Sequence, residues 1–251
     1  MNERTIDDAA VITVADSAAL AGAAAGRFVE IAQKSIADRD VFYVALSGGG
    51  TPRATYEALA GPELRETVDW GRVQLFFSDE RFVPPDSAES NFHMAREALL
   101  DHVPIPERFV HQVSTLEITP DESAALYEQG MRRVFAVSET DVPRFDLILL
   151  GLGPDGHTAS LFPNTDALTD YERLVAPNFL PQSNVWRITF TYRLINAART
   201  IIFLAQGAEK AGRVQQVLAR DADLPASGVR PLDGDLIWLL DNEAAAQVPP
   251  G

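Results

Sequence analysis

Residues 47–53 read Ser47-Gly48-Gly49-Gly50-Thr51-Pro52-Arg53, directly behind a strand-like apolar run at 41–46. Three glycines between a strand and a helix start bring bare backbone N–H groups to the positive end of a helix dipole, a place suited to an anion such as phosphate. Ser47 and Thr51 add hydroxyls, with Thr51 the expected N-cap and Pro52 the first helical residue. No Gly-Lys-Ser/Thr follows, so the stretch is not the nucleotide P-loop. Taken alone, it fits a plain tight turn as well as a phosphate cradle.

Two more strand ends carry reactive groups. Behind the run at 73–77 stands Ser78-Asp79-Glu80-Arg81. It pairs a carboxylate able to orient or move a proton with a guanidinium able to hold an anion, although an isolated run of this kind is more often a solvated ion pair. Behind the run at 146–150 stands Gly151-Leu152-Gly153-Pro154-Asp155-Gly156-His157. Residues 151–156 satisfy G-x-G-x-x-G, but the dinucleotide fingerprint needs a full helix after its third glycine. Here Pro163 limits any helix starting at His157 to about one or two turns. The loop therefore reads as a mount for His157 at the start of a short helix. An imidazole ordinarily titrates near ~6.5, which suits base work at neutral pH.

The remaining signals are weaker. His93, His102 and His111 recur every nine residues, about two and a half helical turns, so one helix would not face them together. There is no His-Glu-x-x-His and no cysteine, so no metal site is expected. A G-x-S-x-G nucleophile elbow is also missing. Arg187 opens a strictly alternating run at 187–192. Lys210 falls in the first turn of a helix behind the run at 200–205, where a cation opposes the dipole unless an anion lies between them.

The elements that must position these groups alternate. Apolar runs at 41–46, 73–77, 146–150, 200–205 and 236–240 are separated by helical patterns at 16–38, 52–60, 91–100, 120–137 and 209–219, the first capped by Asp16. Continuous apolar strands alternating with helices predict an α/β fold with a mostly parallel sheet covered on both faces. In such sheets the site forms beyond the carboxyl ends of the strands, where the groups above lie. The run at 187–192 predicts an antiparallel or edge strand. No repeat or long linker divides the 251 residues, so residues 1–251 read as a single α/β domain, with 245–251 expected to fray.

Composition narrows the partners. Hydrophobic residues make up 46%, enough for a large core, and the formal net charge is −15. An acidic chain repels nucleic acid and anionic membrane surfaces at long range, so neither is an expected partner, and an anionic substrate must be drawn in by local cations and backbone donors. The polar, acidic stretch at 1–8 is unlike a signal peptide, no run reaches membrane-spanning length, and cysteine is absent. The expected location is the cytoplasm.

In order and approximate spacing, "LSGGGTP", "FFSDERFVP" followed by "SNFHMA", "LLGLGPDGHTASLFP", "RITFT" and "GAEKA" resemble the glucosamine-6-phosphate isomerase/6-phosphogluconolactonase family over most of the chain. The text resembles the lactonase branch, "GPDGHTASLFP" beside "SDER" most specifically. The resemblance implies a three-layer α/β/α fold of the isomerase/lactonase type. It also implies cofactor-free, metal-free hydrolysis of 6-phosphoglucono-1,5-lactone to 6-phosphogluconate in the oxidative pentose phosphate pathway. On the same ground His157 is the general base, and Asp79 a site carboxylate that orients His157 or the sugar. Arg81 faces the substrate, and Asp155 with Gly156 shapes the histidine loop. Ser47, Gly48, Gly49, Gly50 and Thr51, with Arg187 and Lys210, hold the phosphate. The implied partner is a small phosphosugar lactone, and the chain is expected as a monomer or small homo-oligomer. One departure is the stretch 178–184, which lacks the basic residue that the family often carries before "RIT". The C-terminal "LPA" at 224–226 resembles a feature near the family's site.

Two other readings stand beside this one. The sister deaminase/isomerase activity generally goes with "DEY" and "GHIAFNEP"-like text, whereas this chain has Asp79-Glu80-Arg81 and "GHTASLFP", without the acid that a proton relay needs. A non-catalytic phosphosugar sensor usually brings a DNA-binding helix-turn-helix, which the acidic N-terminus does not offer.

Overall fold

The computed structural model describes residues 2–221 and 224–249. Among these residues ten strands run β1 (Asn2–Ile6), β2 (Ala9–Val14), β3 (Phe42–Leu46), β4 (Val73–Phe77), β5 (Asp79–Arg81), β6 (Leu147–Gly151), β7 (Val175–Leu180), β8 (Val185–Phe190), β9 (Thr200–Ala205) and β10 (Asp235–Asp241). Six α-helices intervene: α1 (Ser17–Arg39), α2 (Gly50–Leu59), α3 (Asn91–Ala98), α4 (Pro120–Val134), α5 (Tyr192–Ile195) and α6 (Ala211–Leu218). Seven strands form one sheet in the order β1-β2-β10-β9-β6-β3-β4, and β5-β8-β7 form a second, three-stranded sheet. All pairs of the large sheet are parallel except β1 with β2. The small sheet is antiparallel throughout.

The strands read as continuous apolar runs because both faces of the large sheet are covered. In β9, Ile201 and Phe203 enter one core while Ile202 and Leu204 enter the other. One core lies under α1, α2 and α3 and holds Phe28, Tyr56 and Ala95. The other lies under α4, α6 and the small sheet and holds Met131, Val214 and Phe190. This is the helix–sheet–helix sandwich expected from the alternating pattern. Asp16 caps α1 as expected, its Oδ1 accepting from the Ala19 N–H at 2.9 Å.

The structure corrects several expectations. The cap of α2 is Gly49, not Thr51; its φ of +109° lets the chain turn into a helix that already begins at Gly50. The turn around His157 starts no helix: residues 152–163 form turns closed by an isolated bridge between Thr158 and Leu161. Asp79–Arg81, expected only as the end of the strand before it, is itself a strand of the small sheet. Lys210 ends a 3₁₀ turn at Ala208–Lys210, and α6 starts one residue later. Against the frayed tail expected at 245–251, Val248 is buried in the core and Ala245 donates its N–H to the Asp241 carbonyl, while residues 250 and 251 lie outside the described residues.

Candidate active site

A cavity of about 330 Å³ opens at the carboxyl ends of β3, β4 and β6, against the face of the small sheet. Because β3 lies between β4 and β6, the glycine turn, the acidic strand end and the histidine loop are brought side by side. Of the expected residues, Ser47, Gly48, Gly49, Asp79, Arg81, His157 and Arg187 line the cavity. Gly50, Thr51, Asp155, Gly156 and Lys210 do not, and Lys210 stands behind β9, one strand further on than β6.

The turn is tied from below. The hydroxyl of the fully buried Tyr56 accepts from the Ser47 N–H at 3.0 Å and donates to the Ser47 carbonyl at 2.8 Å. Both backbone groups of Ser47 are thereby satisfied, and its buried Oγ has no partner among the described residues. Gly48 is needed for a second reason: a Cβ there would lie 1.9 Å from Asn91 Oδ1. Two of the three glycines thus have distinct causes, close approach at Gly48 and positive φ at Gly49.

β5 splits its three residues between two faces, as a strand must. Glu80 turns away from the cavity to the start of α3. There it accepts from the N–H groups of Arg81, Asn91 and Phe92 at 2.7–2.8 Å and from Ser90 Oγ at 3.1 Å. Burial raises its pKa above the ordinary carboxylate value against those hydrogen bonds. Asp79 and Arg81 face the cavity. Asp79 Oδ2 accepts from Ser160 Oγ at 2.7 Å, and Asn91 Nδ2 donates to the Asp79 carbonyl at 2.8 Å and to Oδ1 at 3.3 Å.

Arg81 and Arg187 are directly paired in register across β5 and β8. Like charges in that arrangement repel. Arg81 donates to the Glu89 carbonyl at 2.6 Å, yet neither guanidinium forms an ion pair among the described residues. Burial first, and then the Arg81 charge, lower the Arg187 pKa from its ordinary value, against the pull of Asp79, Glu89 and Glu80. Two cations held together without a carboxylate partner make a place for a multivalent anion.

His157 is fixed on three sides. Its Nδ1 lies 2.5 Å from Asp155 Oδ1, which also accepts the His157 N–H at 3.1 Å. The ring stacks on Phe162 with centroids 3.9 Å apart. A Cβ on Gly153 would sit 2.1 Å from Nδ1, so the glycine admits the ring. Nε2 has no partner among the described residues. Burial raises the Asp155 pKa, but the His157 charge and hydrogen bonds outweigh it and hold that carboxyl below its ordinary value. Asp79, expected to orient His157 or the sugar, makes no hydrogen bond to the ring; Asp155 holds it instead. The bond from the His157 N–H to Asp155 Oδ1 is the usual local Asx geometry and was readable from spacing, whereas the contact at Nδ1 was not. Ser160, Phe162 and Asn91 were not singled out from the sequence; the first two sit in the quoted histidine motif, and Asn91 in "SNFHMA".

Gly156 packs beneath this loop at φ +82°, where a Cβ would meet Leu224, and its carbonyl accepts from Ala226 N–H at 2.9 Å. The "LPA" stretch therefore buttresses the histidine loop. Among the described residues no group of three or more His, Asp or Glu side chains is arranged to hold a metal ion, and no helix is long and apolar enough to cross a membrane.

Known proteins are similar to this chain in sequence and fold. The family model described as glucosamine-6-phosphate isomerases/6-phosphogluconolactonase matches residues 15–238. The 6-phosphogluconolactonase of Synechocystis sp. is 44% identical over 220 residues, covering 86% of this chain and 89% of that protein. The human 6-phosphogluconolactonase is 39% identical over 213 residues, 81% of this chain and 80% of its own. Among solved structures, the 6-phosphogluconolactonase of Trypanosoma cruzi superposes with a TM-score of 0.85 at 32% identity, covering all of both chains. A monomeric glucosamine-6-phosphate deaminase, at 21% identity, 94% and 99% coverage and a TM-score of 0.79, shares the fold. The chain belongs to the glucosamine-6-phosphate isomerase/6-phosphogluconolactonase family.

Proposed function

We propose that the chain is a cytoplasmic 6-phosphogluconolactonase, hydrolysing 6-phospho-D-glucono-1,5-lactone to 6-phospho-D-gluconate in the oxidative pentose phosphate pathway. The observation that carries this reading is one cavity holding both a free imidazole Nε2 and an unpaired arginine couple. The arginines, with the Ser47–Gly49 turn, take the phosphate, whose binding fixes the lactone relative to the histidine. His157 Nε2 accepts a proton from water as its oxygen attacks C1, and Asp155 at Nδ1 stabilises the imidazolium that forms. The tetrahedral intermediate then collapses: the bond from C1 to the ring oxygen breaks, and the imidazolium returns its proton to that oxygen. A δ-lactone is already activated, so positioning and one base go far without a cofactor. Asp79 accepts hydrogen bonds from the sugar hydroxyls. A deaminase's proton relay would need an acid behind the histidine loop, where Ser160-Leu161-Phe162 stand.

The test is hydrolysis of freshly generated lactone, measured above the spontaneous rate, for the wild type and for His157→Ala. Turnover that is fast in the wild type and reduced by at least about 10³-fold in the variant is expected, the order seen when a general base is removed. A wild type no faster than spontaneous opening overturns the activity, and an undiminished variant overturns the role of His157.

A further inference from the structure

Asp79 and Arg187 are diagonal neighbours on one face of the small sheet: Asp79 is in register with Thr189, and Arg81 with Arg187. Diagonal positions lie about 7–8 Å apart, within reach of an arginine. A buried carboxylate and a half-buried guanidinium that close would be expected to pair. They do not. Asp79 has only neutral side-chain partners, Ser160 Oγ on Oδ2 and Asn91 Nδ2 on Oδ1.

The donors are themselves built in. Ser160 is 2% exposed. Its N–H donates to Thr189 Oγ1 at 3.1 Å and its carbonyl accepts from Asn178 Nδ2 at 2.8 Å, so its hydroxyl is aimed by its pinned backbone. Asn91, also 2% exposed, donates its own N–H to Glu80 and lies against Gly48. One side chain thus touches both the carboxylate and the turn assigned to the phosphate.

We propose that Ser160 and Asn91 are positioning residues that hold the Asp79 carboxylate out of an ion pair with Arg187, so that Asp79 stays free for sugar hydroxyls and the arginine pair for phosphate. The inference rests on the reading of the arginine pair as the phosphate site. Without the clamp, Asp79 rotates onto Arg187 and competes with the substrate's phosphate from inside the cavity. The clamp therefore acts on affinity for the anion as well as on turnover.

The experiment is calorimetric binding of inorganic phosphate to the full chain, for wild type, Ser160→Ala, Asp79→Asn and the Ser160→Ala/Asp79→Asn double variant. Ser160→Ala is expected to weaken phosphate about tenfold, the order of a partly buried charge pair gained inside the site. Asp79→Asn binds at least as tightly as wild type, and the double variant matches Asp79→Asn, because an amide cannot compete for the guanidinium. In lactone hydrolysis Ser160→Ala raises KM more than it lowers kcat. Unchanged phosphate affinity in Ser160→Ala, or a loss that Asp79→Asn does not rescue, overturns the proposal. Should Ser160→Ala fail to fold, Asn91→Ala in the same cycle tests the other carboxylate oxygen with the same outcomes. Phosphate binding needs no turnover, so a failed hydrolysis assay and a failed clamp are seen separately, and a wild type that does not bind phosphate overturns the anion site and the clamp with it.

Discussion

At the scale of single residues, the site depends on how closely the histidine ring is enclosed. Gly153 needs no positive φ, so its role is space alone. Gly153→Ala would place a methyl group 2.1 Å from His157 Nδ1, and the ring must move off Asp155 and Phe162. Displacements of about 1 Å cost on the order of 10²-fold in rate. We therefore expect kcat to fall by about that factor while the thermal midpoint stays near wild type, since the ring moves into the open cavity; steady-state kinetics beside a melting curve checks both. Asp155→Asn is the complementary test. It keeps the size of the side chain and removes the charge that stabilises an imidazolium, so kcat should drop by about 10–100-fold with KM nearly constant. The Asp155 carboxyl has a depressed pKa in the fold, so its stabilising contribution is present above its ordinary value near ~3.9 and is lost as pH falls through the lower, folded value. The variant should accordingly show a shallower loss of stability in acid, read from denaturation midpoints below pH ~4.

At the scale of elements, the segment after α3 closes the exposed edge of β4. Val110 bridges Leu75, and His111 donates its N–H to the Leu75 carbonyl at 2.8 Å. The His111 ring stacks on Phe76 with centroids 4.3 Å apart, and its Nε2 lies 2.7 Å from Gln74 Oε1. Burial lowers its pKa. Between the folded value and the ordinary ~6.5 the unfolded chain binds the extra proton, so stability is full above ~6.5 and falls as the pH drops through that window. Wild type should lose stability between pH 7.5 and 5.5, and His111→Gln should flatten that slope; equal slopes in chemical denaturation would remove His111 as its source. The elements also show what the sequence could reveal. The strands at the centre of the large sheet were legible because both their faces are buried and nearly every position is apolar. β5 was not, because its three residues are all charged and its pairing is with β8, more than a hundred positions away. β7 carries Pro177, which argues against a central strand but is tolerated here because β7 is the edge of the small sheet. The small sheet, of which only the antiparallel or edge strand at 187–192 was anticipated, is the part that places Arg187 opposite Arg81. Their types were readable and their juxtaposition was not, and Ser160 and Asn91 were overlooked for the same reason: each acts through a partner distant in sequence. The histidine loop was legible as a mount for His157 rather than a dinucleotide turn, because the proline that rules out a dinucleotide helix is local.

At the scale of the whole molecule, a formal charge of −15 surrounds the cavity proposed to take a phosphorylated substrate. The two influences differ in range. The surface charge acts through solvent and is screened over a Debye length of about 30 Å at 0.01 M salt and about 8 Å at 0.15 M. The arginine pair acts at contact inside a partly desolvated cavity, where salt screens little. Raising the ionic strength with an anion that competes poorly for the site, such as chloride, should therefore remove the long-range repulsion first. We expect kcat/KM at limiting substrate to rise by about two- to fivefold between ~0.01 and ~0.15 M salt, the modest end of electrostatic effects on association. Arg187→Gln separates the two ranges. It removes a contact cation and adds to the net negative charge, so its kcat/KM should be lower at every salt concentration while the upward slope is kept or steepened. A wild-type kcat/KM that falls steadily over the same range would mean that the field at the mouth of the cavity is positive despite the acidic surface, and that Arg81 and Arg187 steer the substrate as well as hold it.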